Sequence, residues 1–135
     1  MLEKNIELIR GGYDAYARGD FPAVFALLHP EVEIRQTELL PWGGTYHGHE
    51  QAREFFRKLN ECIEGRPEPE EFIPAGDDVV VVGRLRGRAR ASGRSYDLKI
   101  VHLWSIEGRQ VVRFAAFIDT RGMLSALTVP VTGSR

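Results

Sequence analysis

The stretch Tyr13–Arg35, YDAYARGDFPAVFALLHPEVEIR, decides the fold: it reads as the end of one helix, a Gly-Asp corner, a short second helix and a strand. Upstream, Ile6, Ile9, Tyr13 and Tyr16 recur at helical spacing, which predicts an amphipathic helix from about Leu2 to Arg18 with those residues on its buried stripe. Gly19 supplies the positive φ that a helix C′ position commonly needs. Asp20 is placed to accept from the free N–H groups of the next helix, with Pro22 in its first turn. Val24, Leu27 and Leu28 form that helix's apolar side, and His29-Pro30 ends it, because the residue before proline avoids the α region. Val32 and Ile34 then alternate with charged residues, which is the period of a strand.

Working outward, Thr37–Gly48 contains Pro41, Gly43, Gly44 and Gly48 and reads as a loop. A third helix is predicted from about His49 to Glu64, with Ala52, Phe55, Phe56, Leu59, Cys62 and Ile63 on its inward side and Gly65 at its end. Arg66–Glu71 reads as a charged connection. Strands follow at about Glu71–Ala75, Val79–Arg90, Arg94–Ile106 and Gln110–Asp119, separated by Gly76-Asp77-Asp78, Ala91-Ser92-Gly93 and Glu107-Gly108. Turns this short require antiparallel neighbours. Thr120–Leu127 adds a helical turn, and residues 128–135 read as a tail. Three helices ahead of a long meander predict one α+β domain over residues 1–127, with the helices covering one face of a strongly curved, mainly antiparallel sheet.

The balance of 18 Lys and Arg against 19 Asp and Glu leaves no whole-molecule field for nucleic acid or an anionic membrane. Arg84, Arg86, Arg88 and Arg90 share one strand face and could meet phosphates. Without interleaved aromatic residues, and with Glu68, Glu70 and Glu71 on the preceding segment, they read as a solvated face, so no nucleic acid partner is expected. No apolar run approaches membrane-spanning length, and MLEKNIELIR lacks the basic-then-apolar pattern of a secretory signal. Cys62 is alone, which excludes an intrachain disulfide and suits a reducing, cytoplasmic setting; on an apolar helix face it reads as a buried thiol. His47, His49 and Glu50 cluster at a helix start with no third site, so neither a metal nor a cofactor is expected.

The order of elements, together with AYARGD, VEIR, PWGGTYHGHEQAREFF and HLWSIEGRQVVRFAAFIDT, resembles the SnoaL-like and ketosteroid-isomerase-like branch of the nuclear transport factor 2-like superfamily, from about Ile6 to Leu127. The resemblance implies the cone-shaped, cystatin-like fold, with a cavity between sheet and helices, commonly in a homodimer. It also implies a small apolar or mixed organic molecule as ligand, on a scaffold that hosts isomerases, cyclases, epoxide hydrolases, dehydratases and pockets with no known chemistry. Ketosteroid isomerases of this fold use a carboxylate base on the first long strand, with a tyrosine and a protonated aspartic acid as oxyanion donors. Matched at the Gly-Asp corner, Gln36 stands in place of the base and Gly12 in place of the tyrosine, with Tyr13 beside it. The donor aspartate falls on His102, or on Val101 if the final hairpin is aligned without a gap. Gln36 cannot abstract a proton, which disfavours that mechanism.

His102, Trp104 and Ile106 share a strand face with Ile100, so His102 is a protonatable group in an apolar row. It reads either as a buried structural histidine or as a general acid/base or polar anchor in a cavity. Asp119 lies where SnoaL-like cyclases carry their proposed acid/base, and it also precedes RGMLSAL as a helix cap. With Glu107-Gly108 as the turn, Arg113 faces His102 and Asp119 lies roughly 20 Å further along the strand. A bulge near Ala115-Ala116 would shorten that gap. Trp42 and Tyr46, in the glycine-rich loop, suit either a lid or rim or packing over the sheet end. Tyr13, Tyr16, Gln36, Phe56, Trp104 and Phe117 complete the expected pocket.

Overall fold

The computed structural model describes residues 2–129. Helix α1 (Leu2–Ala17) buries Ile9 and Tyr13, with Ile6 and Tyr16 half-buried beside them. The corner forms as the sequence predicts: Gly19 adopts a φ of +73°, and the Asp20 carboxylate accepts from the Ala23 N–H at 3.2 Å to start α2 (Phe21–Leu27). The helix stops before His29-Pro30. Leu28 is already extended, and Pro30 lies inside β1 (Leu28–Gln36), where a break in register between Leu28 and Glu33 accommodates a residue with no N–H for the ladder.

Two expectations need correction. The segment Thr37–Gly48 is not all loop, because β2 (Gly44–His47) pairs antiparallel with Glu33–Gln36. Gly65 does not end the third helix. Helix α3 (Gly48–Cys62) stops earlier, and Gly65 with the expected connection Arg66–Glu71 belongs to one long strand, β3 (Ile63–Ala75). The glycine is needed there for a close approach: a Cβ would lie 2.3 Å from Tyr96 Oη and 2.9 Å from the Arg86 carbonyl oxygen. Strands β4 (Asp78–Ala89), β5 (Ser95–Glu107) and β6 (Gln110–Ile118) and helix α4 (Thr120–Leu127) match their predicted places within a residue or two.

The strand order is β2-β1-β6-β5-β4-β3. β1 pairs parallel with β6 and the other pairs are antiparallel, so the curved sheet is mixed; it is not closed, and among the described residues four helices pack on it, the expected turn at Thr120–Leu127 being the fourth. Alternation sends Val79 and Val81 of β4, Ile100 of β5 and Phe114 and Ala116 of β6 inward, against Ile9, Tyr13 and Phe55 of the helices. On the opposite face Arg84 pairs with Asp97 at 2.6 Å, and Arg86 with Glu68 and Asp97 at 3.3 Å each. Among the described residues no helix is long and apolar enough to cross a membrane. Of the expected tail, Thr128 and Val129 follow α4, and residues 130–135 lie outside the described residues.

Candidate functional site

Between the helices and the inner face of the sheet lies a cavity of about 120 Å³. An apolar void of roughly 150 Å³ holds a benzene molecule, so the space is on the scale of one aromatic ring. Among the described residues its wall carries no Lys, Arg, Asp or Glu. Polar groups enter it at Tyr13, Tyr16, Gln36, Asn60 and His102, and at the indoles of Trp42 and Trp104.

Three of these side chains form a hydrogen-bonded chain. Trp104 Nε1–H donates to Tyr13 Oη at 3.0 Å, and Tyr13 Oη lies 2.6 Å from His102 Nδ1. An indole N–H can only donate, so the tyrosine oxygen accepts from it, and among the described residues His102 Nδ1 is the one acceptor within reach of the phenol proton. This assigns the imidazole proton to Nε2. The Tyr13 and His102 rings lie parallel, within 4°, and Phe114 stands edge-on to the imidazole with ring centroids 5.0 Å apart. The cavity admits a water-sized sphere to one side of the His102 ring, but protein encloses it. That burial pulls its pKa from 6.5 down to about 3, so the ring is neutral at pH 7. Burial likewise pushes the Tyr13 phenol well above its ordinary range, against the lowering effect of the Trp104 bond.

A second chain supports Gln36, whose Oε1 accepts from Trp42 Nε1–H at 3.0 Å. Trp42 is 1% exposed, and Tyr46 Oη donates to the Trp42 and Gly43 carbonyls at 3.0 and 3.2 Å. Neither aromatic residue is a lid or rim. Trp42 packs into the core and reaches the cavity wall from there, while Tyr46, 7% exposed and outside the wall, braces the loop from beneath.

Asp119 stands apart from the cavity: it is exposed and its carboxylate caps α4 by accepting from the Gly122 N–H at 3.0 Å. The hairpin register also differs from the expected one. The two-residue turn is Gly108-Arg109, with φ of +56° and +67°, not Glu107-Gly108. Ser105 pairs with Arg113 and Ile106 with Val111, so the bulge falls at Val112 and not near Ala115-Ala116. His102 consequently faces Ala116 instead of Arg113. Phe117, beside Ala116 and Ile118 in the wall, keeps its ring 57% exposed on the outer face. Tyr16 and Phe56 line the helix side, their rings 5.9 Å apart. His49 Nε2 bonds to the Leu28 carbonyl oxygen at 2.8 Å, His47 is exposed, and no trio of His, Cys, Asp or Glu gathers as a metal site among the described residues. Sequence reasoning missed Phe114, which stacks on Trp104 at 4.2 Å, because the bulge disguises its register. It also missed Asn60, one turn beyond Phe56 on α3.

The family model of the SnoaL-like domain matches residues 9–114. The chain belongs to the SnoaL-like family. A nuclear transport factor 2-like protein of unknown function from Burkholderia pseudomallei K96243 is 38% identical, with a TM-score of 0.88 over 93% of this SnoaL-like chain and 98% of its own. TerC, in a structure co-crystallized with polyporic acid, is 29% identical, with a TM-score of 0.84 over 92% of this chain and 98% of its own. A candidate SnoaL-like polyketide cyclase from Jannaschia sp. CCS1 shares the fold at 22% identity, with a TM-score of 0.85 over 97% and 96% of the two chains. Among curated proteins none matches.

Proposed function

We propose that this SnoaL-like chain takes an apolar or mixed organic molecule into the cavity and promotes an acid/base rearrangement of it without a cofactor, with His102 at the reacting end. The observation that carries this reading is the Trp104–Tyr13–His102 chain in the wall of an otherwise apolar cavity. A linked set of polar groups in such a wall is costly to bury, and perturbed titratable groups in clefts mark functional sites. The structure of TerC with polyporic acid supports small-molecule binding on this scaffold. A neutral imidazole can present its Nε2 proton to an oxygen on which charge develops during reaction.

Trp42 and Trp104 line the cavity, so tryptophan fluorescence screens a library of cyclic organic compounds for binding, and chromatography then follows their conversion. For a compound that is converted, His102→Ala is expected to lower kcat roughly 100-fold, the scale of lost acid/base catalysis. Unchanged turnover removes His102 from the chemistry. The second reading is binding without turnover, favoured by the imidazole's low basicity, since a ring neutral to about pH 3 is a weak proton acceptor. It predicts that every bound compound is recovered unaltered.

We also infer a homodimer formed through the outer face of the sheet. Ile73 and Phe117 are 37% and 57% exposed there, and Val80, Val82, Val101 and Leu103 link them across the paired strands. An apolar patch of this kind marks an association surface.

A further inference from the structure

His102 and Gln36 are linked by the sheet itself. His102 on β5 pairs with Ala116 on β6, and Gln36 lies one step beyond the Arg35–Ala115 pair of β1 and β6. The two side chains therefore rise from the same level of the inner face, two strand spacings or roughly 10 Å apart at the backbone. On the strand between them, at the same level, the wall carries Ala116.

Each is fixed in the same sense by an indole. Trp42 Nε1–H occupies Gln36 Oε1, which leaves the carboxamide N–H groups facing away from it. Trp104 Nε1–H occupies Tyr13 Oη, whose proton occupies His102 Nδ1 and leaves Nε2–H. Among the described residues the Tyr96 hydroxyl alone is a fully covered side-chain polar atom without a partner. His102 Nε2 and Gln36 Nε2 have no protein partner either, so both must reach open space, and the open space beside both residues is the cavity.

We propose that His102 Nε2–H and Gln36 Nε2–H form a two-donor clamp above Ala116 that takes the carbonyl oxygen of an aromatic or cyclic ketone, with Trp42 and Tyr13 as positioning residues. The uncharged wall favours a neutral acceptor over a carboxylate or phosphate, for which the described residues place no counter-ion in the wall. This deepens the reading of the cavity as a ligand site and rests on it.

The test uses acetophenone and ethylbenzene, which share the ring and differ by C=O against CH2. Calorimetry gives their affinities, and infrared spectroscopy of carbonyl-13C acetophenone reports the hydrogen bonds directly. Acetophenone is expected to bind roughly tenfold tighter or better, with its carbonyl stretch lowered on binding. Gln36→Met and His102→Leu should each remove most of that preference and part of the frequency shift, leaving ethylbenzene affinity within about twofold. Tyr13→Phe frees Nδ1 to carry the proton instead, so the frequency shift should shrink with both donor residues still present. Where either clamp variant fails to fold, Ala116→Val fills the gap without touching the donors and should abolish the shift. Equal affinity for the two compounds, or a carbonyl stretch indifferent to Gln36 and His102, overturns the clamp while leaving the cavity intact as a site. Failure of both compounds to bind overturns the cavity reading and the clamp with it.

Discussion

Among single residues, His102 stands out as an imidazole that gives up its charge. An unfolded histidine titrates near 6.5, whereas His102 in the folded chain takes no proton until about pH 3. Between those values the unfolded chain binds the extra proton. The stability that follows from the depressed pKa is therefore present above pH 6.5 and is lost as pH falls toward 3. Urea unfolding at pH 7 and pH 4.5 should show wild type losing roughly 2 kcal/mol more than His102→Leu over that interval, and parallel losses would show an ordinary, solvated histidine. The sequence made His102 legible as an inward residue because strand parity fixes its face, and Tyr13 because helical spacing fixes its stripe. Their mutual bond was not legible: it spans 89 residues and exists only once α1 lies across β5. Gln36 was readable as a failed base. Its use as a donor depends on Trp42 holding the carbonyl end, which no local pattern announces.

Among the elements, those with strong local chemistry were the ones correctly placed. The Gly19-Asp20 corner, β4, β5 and α4 carry a cap, a turn or a long alternation of their own. β2 and the first half of β3 do not. One is a four-residue segment between glycines, and the other holds two prolines and charged residues, so both are defined by the strands they pair with. The bulge at Val112, with the one-residue shift of the turn, had the largest functional consequence, because it gave His102 a small neighbour. Asp119 then has one structural task, as the N-cap of α4. Asp119→Ala should cost about 1 kcal/mol in thermal or urea unfolding and leave ligand affinity and turnover unchanged. A loss of turnover with stability intact would return Asp119 to the chemistry.

For the whole molecule, the mixed sheet divides its labour between two faces. The inner face and the helices enclose the cavity, and the outer face carries the exposed Phe117 and its apolar neighbours. Pairing through that face predicts a dimer mass in sedimentation, converted to monomer by Phe117→Asp; a wild-type monomer at all concentrations contradicts the pairing. The cavity itself depends on α1, β1, β5 and β6 together, and its polar end is only as well aimed as the Trp104–Tyr13–His102 chain that holds it. Nitrogen-15 NMR of the histidine rings reads that end directly. One ring is expected to stay neutral through pH 5, protonated at Nε2 with Nδ1 accepting, and its Nε2 signal to move when acetophenone is added. Four histidines all titrating near their ordinary value, with none responding to the ketone, would contradict it.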